Sequence, residues 1–85
     1  MKGQALETNS VEWKYGYTMQ LRNNTDAAVK ADFRIQFLDE QGFPVDDAVM
    51  TGLVIPANAK LSFDGVSMIK TALATRIRTL RAEMR

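Results

Sequence analysis

The 85-residue chain contains no cysteine and no histidine. Without cysteine there is no disulfide framework and no thiolate metal site. An exported protein needs neither, so this absence does not place the compartment. Without histidine the chain lacks the commonest general base and the commonest transition-metal ligand together. No charge of one sign dominates: 11 basic residues face 10 acidic ones, a net charge of +1. Nothing in that balance draws the chain to nucleic acid or to an anionic membrane. No apolar run approaches the ~20 residues that span a bilayer. Met1-Lys2-Gly3-Gln4-Ala5 has no apolar core behind its lysine and does not read as a signal peptide, so in an exported protein this chain is expected to be an excised or mature piece. Residues 1–11 are polar and unpatterned, and are expected to be a disordered leader or a cloning remnant ahead of one domain at 12–85.

What is present is alternation. Trp13, Tyr15, Tyr17, Met19 and Leu21 take every second position, with Lys14, Gly16, Thr18, Gln20 and Arg22 between them. A period of two places all five apolar side chains on one face of an extended strand. Val29, Ala31, Phe33, Ile35 and Phe37 repeat the pattern against Lys30, Asp32, Arg34 and Gln36. Two long strands, each wet on one face, predict a small antiparallel β-sandwich. With 46% hydrophobic residues in 85, a core can form, but its margin is expected to be thin, about 3–5 kcal/mol.

Between the strands lie turn formers. Arg22-Asn23-Asn24-Thr25-Asp26 ends the first strand. Asp39-Glu40-Gln41-Gly42 ends the second, with Asp at the first corner and Gly at the fourth, as a type I turn with a bulge requires. A third extended piece starts at Phe43-Pro44-Val45, where Pro44 predicts an edge, is interrupted by Asp46-Asp47, and resumes over Val49–Ile55. After a turn at Pro56–Lys60, Leu61 and Phe63 mark a short strand that Gly65 is expected to end. In the tail, Ile69, Leu73, Ile77, Leu80 and Met84 have helical spacing, while Leu80, Ala82 and Met84 also alternate as a strand does. A helical turn at 69–74 followed by a closing strand at about 76–84 accommodates both.

Over residues 12–65 the chain resembles the FxLYD-type immunoglobulin-like domains of bacterial envelope proteins. Leu21-Arg22-Asn23-Asn24-Thr25-Asp26 is similar to their strand-ending V-x-N-N-S/T-D turn. Ile35-Gln36-Phe37-Leu38-Asp39 follows the F-x-L-Y-D pattern with Ile35 and Leu38 at its Phe and Tyr positions, and Glu40-Gln41-Gly42 completes a D-x-x-G turn. Ile55-Pro56-Ala57-Asn58 and Leu61-Ser62-Phe63 resemble the family's later turn and strand. The resemblance implies an accessory sandwich in exported proteins or lipoproteins, in the periplasm, the envelope or outside the cell, with no catalytic residues.

Each candidate site competes with a structural role. Asp39, Glu40, Asp46 and Asp47 gather carboxylates around one hairpin, but not at calcium-loop spacing; a turn plus a charged edge explains them. Arg76, Arg78, Arg81 and Arg85 give the last ten residues a basic character, yet no aromatic follows Phe63 to stack on bases. Trp13, Tyr15 and Tyr17 suggest a sugar platform, but they share a face with Met19 and Leu21, so only Trp13, at the strand's start, is retained as a ligand contact. Asn23-Asn24-Thr25 matches a glycosylation sequon that the turn itself accounts for. Ser62 and Ser67 have no activating base. The expected function is therefore non-catalytic and without cofactor: protein interaction or self-association through a sheet edge, or spacing, within a larger exported protein. The alternative is a carbohydrate-binding accessory domain using Trp13.

Overall fold

The computed structural model describes residues 1–85. Six strands, β1 (Lys2–Glu7), β2 (Glu12–Arg22), β3 (Val29–Leu38), β4 (Pro44–Ile55), β5 (Lys60–Lys70) and β6 (Thr79–Met84), form the fold, with one helical turn, α1 (Thr71–Ala74), ahead of β6. They make two three-stranded sheets, β1-β2-β5 and β4-β3-β6, with every pairing antiparallel. The protein is a small all-β sandwich. Its strand order is that of A-B-E facing C′-C-F in an immunoglobulin domain, with the positions of D beside β5 and G beside β6 unfilled within these residues.

The two alternating runs form strands buried on one face, as their periodicity predicts, and each is the central strand of its sheet. Tyr15, Tyr17 and Met19 of β2 and Ala31, Phe33, Ile35 and Phe37 of β3 are buried, and Ile35 and Phe37 have no exposed surface. Phe37 lies edge-on to Tyr15 and Tyr17 of the facing sheet, with ring centroids 5.5 and 5.8 Å apart. Such T-shaped contacts set the positive ring edge against the negative ring face. The tail resolves as the compromise of its two periods. Ile69 and Ile77, from its helical spacing, are buried at the end of the core. From Leu80 onward the strand period holds, with Leu80 and Ala82 opposite Phe37 and Ile35. The helical turn is confined to 71–74 within the expected 69–74, and the closing strand starts at Thr79 rather than 76.

Three boundaries differ from the sequence reading. Residues 2–7 are not a disordered leader but strand β1, paired to β2 from Lys2 opposite Thr18 to Glu7 opposite Lys14. Its core-side residues, Gly3 and Ala5, are too small to leave a hydrophobic pattern. A Cβ on Gly3 would come within 2.8 Å of both Leu80 and Tyr15, so the strand is admitted by smallness and held by backbone pairing. The following loop is tied down as well: Asn9 Oδ1 accepts from Val11 N and Glu12 N, and the Thr71 hydroxyl donates to the Asn9 carbonyl.

Gly65 does not end a short strand either; β5 runs on to Lys70 in unbroken register with β2. Gly65 stands opposite Tyr17, whose ring occupies the space a Cβ would need. Glycine here marks a close approach, not a breaker. Finally, Asp46-Asp47 does not interrupt β4. Two bulges absorb the mismatch instead, one near Val45 and one at Thr51-Gly52, where Gly52 adopts φ +66° and its N–H donates to Asp32 Oδ1 at 2.8 Å.

Candidate functional site

The geometry disperses most of the chemically suggestive residues into structural roles. Asp39 is the clearest case. It opens the β3–β4 turn, with Gly42 N donating to its carbonyl at 3.0 Å and Gly42 at φ +84°, which is the turn and bulge that the sequence predicts. Its Oδ1 accepts from Gln41 N and Phe43 N, both at 2.9 Å, and its Oδ2 faces Arg76 Nη2 at 3.3 Å. The Phe43 amide holds the carboxyl below its ordinary range. Burial opposes that shift, but the Gln41 amide and the Arg76 guanidinium add to it. With both oxygens engaged, Asp39 is a turn anchor.

The other three carboxylates of that hairpin do not join it: no group of three acidic side chains converges on a metal-sized space anywhere in the chain. Asp46 accepts from Asp47 N, and Asp47 faces Arg34 Nε at 3.8 Å on the outer face of the sheet. The arginines also scatter. Arg76 goes to Asp39, and Arg78 donates to the carbonyls of Thr75 and Ile77. Arg81 donates to Gln36 Oε1 and pairs with Glu83 at 3.3 Å.

Asn23 of the sequon is buried, and both ends of its amide are occupied. Nδ2 donates to the carbonyls of Ala27, Ile55 and Pro56 at 2.8–3.2 Å, while Oδ1 accepts from Thr25 N and Thr25 Oγ1. The side chain clips the β2–β3 turn to the β4–β5 turn. A second link joins the same turns, since Asn58, at φ +57°, donates its N–H to the Thr25 carbonyl. The sequence marks Asn23 as a turn residue but not as buried. Its signal is an Asn directly after the last alternating apolar position and its partner.

Trp13 is partly buried on the core side of β2, opposite the buried Ile69, and packs against the core cluster. Burial pushes the Tyr15 phenol upward, keeping it a neutral core ring. Ser67 lies on the same side of its sheet, opposite Tyr15, and Ser62 lies on the outer side.

What remains is edge. β5 and β6 are each paired on one side only. The Asn23 N–H donates to the Ala59 carbonyl at the end of the β2–β5 ladder. Hydrogen-bonded pairs alternate along an antiparallel ladder, so the even-numbered residues of β5 turn their N–H and C=O groups outward. Directly after β6 the Arg85 N–H donates to the Asp32 carbonyl at 2.8 Å, continuing the β3–β6 ladder. The alternation therefore directs the polar groups of Leu80, Ala82 and Met84 away from β3. Beside β6 a cleft of about 690 Å³ opens between the sheets, lined by Met19, Leu21, Phe33 and Ala82. The sequence contains these edges only as a missing neighbour, which no local pattern reports.

No protein-family model and no curated protein matches this chain. No helix is long and apolar enough to cross a membrane.

Proposed function

We propose that this protein is a non-catalytic sandwich module that binds through an exposed sheet edge, as an accessory part of a larger exported bacterial protein in the periplasm, the envelope or outside the cell. The unpaired outward groups of β5 and β6 carry the reading, because an unfilled edge is a template for strand addition. The FxLYD-like turn sequence at Ile35–Gly42 supports the family and the compartment. The non-catalytic part rests on the chemistry of the side chains: no histidine or cysteine exists, and Asp39 is consumed by its turn. A carbohydrate platform needs an open indole face, and Trp13 instead leans on the core, so the edge reading is preferred.

Proline at an outward-facing amide removes a donor from the edge without disturbing the ladder behind it. Ser62→Pro tests β5 and Ala82→Pro tests β6. The protein is expected to capture a partner from bacterial envelope extract or to self-associate, and one of the two substitutions is expected to abolish it while circular dichroism stays unchanged. Binding that survives both substitutions overturns the reading, as does a monomer that captures nothing.

A further inference from the structure

Resting on that edge reading, we infer that the β6 edge is a self-recognition surface: two copies join β6 to β6 antiparallel about a two-fold axis through Ala82, continuing sheet β4-β3-β6 into its copy. Leu80, Ala82 and Met84 present the free N–H and C=O groups, so in a two-fold pairing these residues must oppose one another. Over residues 79–85, to which the Arg85 hydrogen bond extends the ladder, three such registers pair more than half of the strand with its copy, and charge separates them. Centred on Arg81, the pairing sets Arg81 against its own copy. Centred on Glu83, it sets Glu83 against Glu83 and Arg81 against Arg85. Centred on Ala82, each Arg81 meets a Glu83 of the other copy, at the non-hydrogen-bonded positions where facing side chains come closest.

The same register matches the apolar side. Leu80 meets Met84, and Ala82 meets Ala82. Met84 is on the core side of its strand, opposite Phe33, yet 69% exposed. A facing Leu80 from a second copy extends the hydrophobic surface that β6 otherwise leaves open beside the Met19–Phe33 cleft. On the outer side the cross-strand row becomes Asp47, Gln36, Arg81, then Glu83 and Arg34 of the copy, with adjacent charges opposite in sign.

The other edges lack this complementarity. β4 carries Pro44 and two bulges, and β1 breaks register between Ala5 and Glu7. β5 is regular, but its full-length two-fold register places Lys60 against Lys70 at both ends. Strands of six residues cover little area, so the dimer is expected to be weak and concentration dependent.

Sedimentation velocity between about 10 μM and 1 mM, with amide NMR shifts followed over the same range, tests this. A monomer–dimer equilibrium is expected, with the concentration-dependent shifts centred on residues 80–84. Arg81→Glu and Glu83→Arg should each weaken it about tenfold, because two facing pairs turn repulsive. Mixing these two variants should restore dimerisation, since positions 81 and 83 are then both acidic in one copy and both basic in the copy that faces it. The protein carrying both substitutions should dimerise alone. Dimerisation that ignores both charge reversals, or shifts that map to β5, overturns the β6 register but leaves edge binding standing. A wild-type protein that stays monomeric throughout overturns self-recognition, while the extract capture and proline variants test edge binding separately.

Discussion

An amide buried between two turns has to satisfy its donors and acceptor within the protein, and Asn23 does so on both sides. Replacing it with alanine strands the carbonyls that Nδ2 serves and the Thr25 amide that Oδ1 serves. Asn23→Ala is expected to lower stability by about 2–3 kcal/mol, read as a drop in the urea midpoint. Asn23→Asp should do no better, because it presents a carboxylate to three carbonyl oxygens. Asp39 predicts a pH effect. Its folded-state pKa is lowered by the Phe43 and Gln41 amides and by Arg76, so its contribution is present above the ordinary carboxylate range, near 3.9, and is lost as pH falls through the lower folded value. Asp39→Asn keeps an acceptor for the two amides but not the charge. Stability of that variant should fall less steeply than wild type on acidification below about pH 4. Equal slopes would place the acid sensitivity elsewhere.

At the scale of the element, glycine separates what sequence patterns reveal from what they hide. Gly65→Ala inserts a Cβ where the buried Tyr17 ring lies, and overpacking of this kind is expected to destabilise by about 1–3 kcal/mol. Gly42→Ala meets no neighbour, so any loss there comes only from its positive φ. Thermal denaturation of the two variants should rank Gly65→Ala as the worse. The same contrast explains how much of the fold was legible. β2 and β3 were readable because five large apolar side chains alternate on the first and four, with Ala31, on the second, and the Asp39–Gly42 turn because Asp and Gly sit where its geometry demands them. β1 was unreadable because Gly3 and Ala5 sign nothing, although smallness is what lets β1 lie under Leu80. Gly65 was misleading because a glycine that breaks a strand and a glycine that receives a cross-strand ring look alike until the partner strand is known. Asp46-Asp47 reads as an interruption because the bulges that absorb it depend on β3. The candidate site was the least legible part. Arg81 and Glu83 could be read as a charged tail, but their alternation acquires meaning only once Leu80, Ala82 and Met84 are known to face outward along a free edge.

For the whole molecule, the decisive feature is that two three-stranded sheets are locked together by few large side chains. Phe37 projects from the centre of β4-β3-β6 between Tyr15 and Tyr17 of the facing sheet, and it is wholly buried. Phe37→Ala removes the ring from both edge-on contacts and leaves a cavity between the sheets, which is expected to destabilise by about 3–5 kcal/mol. A single core in 85 residues supplies a margin of similar size, so the variant should show no cooperative urea transition and no near-ultraviolet dichroism from Tyr15, Tyr17 and Trp13. Phe37→Leu retains most of the volume without the ring geometry and should stay folded, with a lowered midpoint. The pair separates two sources of stability. If Phe37→Ala still unfolds cooperatively near the wild-type midpoint, the sheets are held at their rim, by the Asn23 clip between the β2–β3 and β4–β5 turns, rather than by the aromatic centre. Loss of cooperativity in the alanine variant alone places the lock at Phe37, where the facing alternations of β2 and β3 meet.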